Sequence, residues 1–217
     1  MADYPARRTM MVDTQVRPSD VTKFPVIEAL LAIPREVFVP DGKREVAYVG
    51  ENIDLGNGRV MLEPRTLAKM LDALDIQPDD LVLDIGCGFG YSSAVIARMA
   101  EAVVAVEDDA AMAEDAQTLL VENSADNVVV IAGNLTDSAA KHGPYDAIVL
   151  QGGVQQIPVV VADQLKDGGK IAAIFMSEGL GICRIGYKIN GNLTWRFAFN
   201  AGAPVLKGFD QLSEFVF

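Results

Sequence analysis

From Leu81 onward the chain carries five short, continuously apolar runs: LVLDI (81–85), AVVAVE (102–107), NVVVIAG (127–133), YDAIVLQ (145–151) and GKIAAIF (169–175). A strand with one wet face alternates apolar and polar residues. Runs without alternation are buried on both faces, which implies a parallel sheet with helices on each side. The intervening segments suit helices: in DDAAMAEDAQTLLVEN, Met112, Ala116, Leu119 and Leu120 share one helical face, with Asp108 and Asp109 near its positive end. After the last run, GICRIGYKI, then Asn190-Gly191-Asn192, then LTWRFAFN reads as an antiparallel hairpin on an Asn-Gly turn. The expected fold is an α/β, Rossmann-like sheet, parallel and finished by antiparallel C-terminal strands.

Upstream, residues 1–63 read as a helical cap followed by a loop, and 64–217 as one compact core. SDVTKFPVIEALLAIP offers Ser19 as N-cap and an apolar face of Val26, Ile27, Leu30 and Leu31, ending before Pro34. DLGNGRVMLEP (54–64) is a glycine-broken loop, and EPRTLAKMLDALDI is an amphipathic helix with Leu67, Met70, Leu71 and Leu74 at helical spacing. The 217 residues, half of them hydrophobic, suffice for one substantial core.

Net charge is −12 with no Lys/Arg-rich run, which disfavours a nucleic-acid partner. No leader-like apolar region opens the chain, and no segment approaches the ~18 apolar residues of a membrane span. The expectation is a cytoplasmic protein without membrane contact, and a monomer. Cys87 and Cys183 form no CxxC or Cys/His cluster, and His142 is the one histidine, in the polar stretch AAKHGPYD. Metal sites and histidine-based triads are therefore not expected.

In a parallel α/β sheet, ligands sit at the carboxyl ends of the strands, so the loop after the first run, DIGCGFG (84–90), is the expected binding position. A dinucleotide loop would carry a third glycine at position 91, which is Tyr91, and the Gly-Lys-Ser/Thr ending of a Walker loop is absent. Asp84, at the strand end, suits a cation better than a phosphate. Glu107 ends the second run, where nucleotide-binding sheets put the carboxylate that accepts ribose hydroxyls. A carboxylate, a glycine turn and a strand-end Glu describe a phosphate-free nucleoside bearing an amino acid, and S-adenosyl-L-methionine, with S-adenosyl-L-homocysteine as product, is the expected cofactor. Its site is expected to include Asp84, Gly86, Cys87, Gly88, Gly90, Tyr91 and Ser92, then Glu107 with Asp108. Gly133-Asn134 would lie near the adenine edge, and Gln151, leading into Gly152-Gly153, beneath the methyl-transfer position.

The Asn/Asp-Pro-Pro-aromatic motif of amino-group methylation is absent after the fourth run, which reads Gln151-Gly152-Gly153-Val154, and neither cysteine stands where cytosine methylation needs one. A carboxylate acceptor, already ionised at pH 7, needs orientation and removal of water rather than a general base.

VIEALLAIPREVFVP (26–40), AYVGENIDLGNGR, VLDIGCGFGYSSAVIA, YDAIVLQGGVQQIP and LKDGGKIA together resemble the protein-L-isoaspartate O-methyltransferase family, over nearly all of the chain to about residue 176. The resemblance implies a class I methyltransferase core, S-adenosylmethionine as donor and methyl esterification of isoaspartyl residues in damaged proteins, hence protein repair. Asp84 to Gly90 match the donor loop, Glu107 the ribose carboxylate and Gly133-Asn134 the family's Gly-Asp pair. The family's loop Gly-Gln-Thr-Ile-Ser-x-Pro aligns with Gly58-Arg59-Val60-Met61-Leu62-Glu63-Pro64. Leu62 thus stands at the active-site Ser position and Val60 at that of Thr; Val60 and Met61 would keep backbone contacts to the donor, and Arg59 would serve as a clamp on the acceptor carboxylate. Two alternatives stay open. One is a methyltransferase for a different acceptor, such as a small molecule, with Met61 and Leu62 lining an apolar pocket. The other is a non-catalytic, donor-binding regulatory protein.

Overall fold

All five apolar runs become neighbouring strands of one sheet in the computed structural model, which describes residues 3–211. The strands are β3 (Leu81–Ile85), β4 (Ala102–Glu107), β5 (Val128–Ala132), β6 (Tyr145–Val154) and β7 (Leu165–Ser177), preceded by a small hairpin of β1 (Ile53–Gly56) and β2 (Arg59–Met61). β8 (Leu180–Ile189) and β9 (Asn192–Asn200) complete a seven-stranded sheet of order β5-β4-β3-β6-β7-β8-β9. β5 to β7 pair in parallel and β8 and β9 antiparallel, as the alternation of patterns predicts. The turn between the last two strands holds Asn190 at φ 51° and Gly191 at φ 78°, the left-handed pair a two-residue hairpin requires.

Because side chains alternate across a strand, each parallel run feeds two cores at once. Val82, Val103, Ala105, Ala147 and Val149 pack on one face of the sheet; Leu83, Ile85, Val104, Val106, Ile148 and Leu150 pack on the other. The first face is covered by helices: α2 (Phe24–Ala32), α3 (Pro64–Leu74), α4 (Tyr91–Ala97) and α5 (Ala110–Glu122) all contribute buried residues to it. The second face departs from the expected symmetry. Among the described residues it carries only the short α6 (Val159–Asp163), residues of the turn-rich segment before β6, and two side chains from beyond β9, Leu206 and Phe209.

Those two belong to an irregular segment, residues 203–209, which we call the strap. It lies along the carboxyl end of β6: Val205 bridges Gly153 in parallel, Gly153 N–H donates to the Pro204 carbonyl at 2.7 Å, and Leu206 N–H donates to the Gly153 carbonyl at 2.8 Å. Gln155 N–H closes the run on the Phe209 carbonyl at 2.8 Å. Phe209 packs in the core, and Phe215 and Phe217 lie outside the described residues.

At the other end of the chain, α1 (Tyr4–Met11) and α2 form the expected cap, but Ser19 does not start a helix. α2 begins at Phe24, with Pro25 in its first turn and Lys23 as an N-cap without a side-chain bond, while the Ser19 hydroxyl donates back to the Gln15 carbonyl. Proline fixes a helical φ and lacks the N–H that the first turn would leave unpaired, so it sets the start. The stretch read as a glycine-broken loop is the β1–β2 hairpin, turned at Asn57 (φ 51°) and Gly58 (φ 75°).

Candidate functional site

β3 and β6 are adjacent, with β4 and β5 lying on one side and β7 on the other, so the sheet's topological switch point lies at the carboxyl ends of β3 and β6. Four segments meet there: the glycine turn 86–90, the end of β4 at 107–109, the β1–β2 hairpin and the strap. Gly86, Gly88 and Gly90 have φ of 76°, 58° and 93°, the left-handed region where a side chain would be strained. The turn is tied to the neighbouring strand by Gly86 N–H, which donates to the Val106 carbonyl at 2.8 Å.

Asp84 is fully buried. The Ser92 and Ser93 hydroxyls both donate to its Oδ2 at 2.6 Å, and Gln151 Nε2 donates to Oδ1 at 2.7 Å. Burial pushes its carboxyl above the ordinary range and these three donors pull it back. Its expected neighbours Ser92 and Gln151 are thus at hand, but they face Asp84 itself. Ser93, not anticipated from the sequence, completes the set.

Glu107 is equally buried and differently held. Arg59 Nε lies 2.9 and 3.1 Å from its two oxygens, and the N–H groups of Gly88, Asp108 and Asp109 donate to it at 2.9, 2.9 and 3.3 Å. Arg59 Nη2 also pairs with Asp108, and Lys207 of the strap reaches within 3.8 Å of the same carboxylate. Burial raises the Glu107 carboxyl and the guanidinium opposes that rise. Arg59, expected to clamp an acceptor's carboxylate, is only 4% exposed and clamps two of the chain's own.

The room above the glycines is taken in the same way. A Cβ at Gly86 would sit 3.2 Å from Leu206 Cδ2, and one at Gly152 would sit 2.6 Å from it. A Cβ at Gly88 would sit 2.6 Å from Leu55 Cδ1 of the hairpin. Val60, Met61, Leu62, Cys87 and Tyr91 line one wall, where a cavity of about 10 Å³ remains, space for no more than a single water. Leu62 is buried, and its carbonyl accepts from Nη2 of the buried Arg35 at 2.7 Å. Arg35 also stacks 4.8 Å from the Tyr91 ring centroid, which ties the hairpin's exit to α4. Burial raises the Cys87 thiol well above its usual range, which disfavours the thiolate, and both cysteines are free.

Gly133 stays beside Glu107 through its N–H, which donates to the Glu107 carbonyl at 2.9 Å. The Asn134 side chain turns to its own backbone, accepting from Thr136 N–H at 3.0 Å. Leu55 and Leu206 had no local signal: Leu206 meets Gly86 and Gly152 across more than fifty residues, in a segment without periodicity. Among the described residues no helix is long and apolar enough to cross a membrane, and no His/Cys/Asp/Glu group has metal-binding geometry.

The family model described as protein-L-isoaspartate(D-aspartate) O-methyltransferase matches residues 7–179. A protein-L-isoaspartate O-methyltransferase of Syntrophus aciditrophicus is 34% identical over 171 residues, 79% of this chain and 78% of the relative. One from Methanoculleus marisnigri is 35% identical over 166 residues, 76% of each chain. Among solved structures, a protein-L-isoaspartate O-methyltransferase superposes with a TM-score of 0.81 at 23% identity, over 93% of this chain and 66% of that one. A Plasmodium falciparum structure, described as a putative member in complex with S-adenosyl-L-homocysteine, gives 0.80 at 17% identity over 95% and 99%. These two likenesses establish the fold, and the sequence matches establish the kinship: the chain belongs to the protein-L-isoaspartate(D-aspartate) O-methyltransferase family of S-adenosylmethionine-dependent methyltransferases.

Proposed function

We propose that this chain methylates isoaspartyl carboxyl groups of damaged proteins, a repair reaction of the cytoplasm, with the donor held at the carboxyl ends of β3 and β4. The observation that carries the reading is the family match over residues 7–179 in a chain that keeps Asp84 and Glu107 at adjacent strand ends, on either side of a glycine turn. The two buried free cysteines suit a reducing compartment.

When bound, the donor supplies an electrophilic methyl group on a sulfonium. The chain's own residues supply position: Glu107 would accept the ribose hydroxyls, Asp84 would favour the positive end of the amino-acid moiety, and Gly86 to Gly90 would let the backbone come close. An isoaspartyl carboxylate needs no proton removed, which agrees with the exposed position of His142 and with the buried thiol of Cys87. Leu62 brings no hydroxyl to the acceptor, so backbone groups of the 59–63 segment would have to orient it.

These residues suit a cationic nucleoside in kind, but as folded they are in contact with the chain's own side chains. Arg59 already satisfies Glu107, and Leu206 and Leu55 lie over the glycines. The test is a methyl-transfer assay on an isoaspartyl peptide and its aspartyl counterpart, with Leu62→Ser in parallel. Turnover specific to the isoaspartyl peptide, increased in the variant, is the expected result. Donor binding without turnover on that peptide by either protein would sink the proposed acceptor.

A further inference from the structure

We infer that the donor site is closed by the chain itself, with Arg59 of the β1–β2 hairpin and Leu206 of the strap occupying it in competition with the donor. The inference rests on the reading of Asp84–Gly90 and Glu107 as the donor site, and deepens it by naming what must move before a donor can enter.

Three independent features converge on it. The first is electrostatic. Glu107 receives a guanidinium N–H and three backbone N–H groups, so a ribose hydroxyl could donate to it only by displacing Arg59. Arg59 in turn is held by two carboxylates, and the side-chain amide of Asn57, in the same hairpin turn, donates to Asp109. The hairpin is therefore docked on the end of β4 by paired contacts rather than resting there.

The second is steric. Gly86 and Gly152 lack side chains at the two strand ends that define the switch point, the one place where a bound ligand would need bare backbone. Leu206 stands on both of them and is 1% exposed. Leu55 stands on Gly88 in the same manner. The glycines of this chain thus admit two of its own leucines.

The third is the attachment of the strap. Its backbone pairs with the end of β6 through the Gly153 and Leu206 amides, and Gln155 and Gln156 N–H both reach the Phe209 carbonyl. Lys207 beside Asp108 links it to the carboxylate cluster that holds Arg59. The strap follows the last strand, and a few main-chain bonds and three buried side chains, Ala203, Leu206 and Phe209, fix it, so it can leave without unthreading the sheet. Local opening of such a segment costs less than global unfolding.

An internal occupant lowers the apparent affinity for an external one by the fraction of molecules that stand open. Removing the occupant's side chain should recover that factor. The experiment is a calorimetric titration of the full chain with S-adenosylhomocysteine, for wild type, Leu206→Ala, Arg59→Gln and the double variant, each checked for a cooperative unfolding transition. Each single variant should bind at least tenfold more tightly than wild type. Leu206→Ala decides the matter if Arg59→Gln does not fold, and the reverse. Binding by wild type as tight as by both variants would overturn self-closure while leaving the donor reading intact. Absence of binding by all four proteins would instead remove the donor reading, and self-closure with it.

Discussion

Asp84 and Glu107 occupy equivalent positions at the ends of adjacent parallel strands, are equally buried, and are held by opposite means. Around Asp84 the partners are neutral and come from the core of the fold, two hydroxyls from the first turn of α4 and one amide from β6. Around Glu107 the dominant partner is a cation delivered by a two-stranded hairpin outside the sheet. A neutral cage is built once, when the core packs. A cation on a peripheral hairpin can be exchanged for something else. The contrast separates a carboxylate that organises the turn from one that is blocked, and it shows why the same strand-end chemistry need not mean the same availability.

The largest effect is expected at Arg59. Arg59→Met leaves Glu107 buried opposite no cation, and removing one partner of a buried pair typically costs about 3–5 kcal/mol. Urea unfolding at pH 7 should show a loss of that order. Burial already holds Glu107 above its ordinary value of 4.5, and without Arg59 it rises further. The deficit should therefore be small below about pH 4.5, where Glu107 is protonated in both states, and complete once pH exceeds the raised folded value. Adding Glu107→Gln to Arg59→Met should recover most of the loss at pH 7.

A smaller effect is expected on the Asp84 side. Gln151→Leu removes the one donor to Oδ1, and an unmet buried acceptor costs about 1–3 kcal/mol. Asp84 then rises further above its ordinary 3.8, so this deficit too should shrink as pH falls toward 4. The smallest change is Ser93→Ala, about 1 kcal/mol, because Ser92 still donates to the same oxygen. If Ser93→Ala matched Arg59→Met, the distinction between the two carboxylates would fail.

The strands, the Asn190-Gly191 turn and the amphipathic α3 were legible because each depends on neighbours within a few residues: unbroken apolar runs, a turn pair with its own φ preference, a helical repeat of Leu67, Met70, Leu71 and Leu74. Asp84, Glu107 and the glycine turn were legible for the same reason, as strand ends facing the switch point. Three features were not. Ser19 has an N-cap's chemistry, but Pro25 fixes where the helix begins. β2 spans only Arg59–Met61, too short for a period to emerge, so the hairpin read as a loop and Arg59 as a residue free to meet a ligand. The strap is ordered by pairing with Gly153, some fifty residues away, and no local pattern announces it. The helix start is set locally by Pro25, whereas the hairpin and the strap share one cause, a tertiary contact deciding what a short segment does, and both converge on the proposed donor site.

The most direct measurement of self-closure is amide hydrogen exchange of the wild-type chain, with and without saturating S-adenosylhomocysteine, followed at Leu206, whose N–H donates to the Gly153 carbonyl in the closed form. Donor and strap as competitors predict that this amide is protected in the free protein and exchanges faster once the donor is bound. Unchanged or increased protection of Leu206 with the donor bound would mean that the two coexist, and would contradict the account.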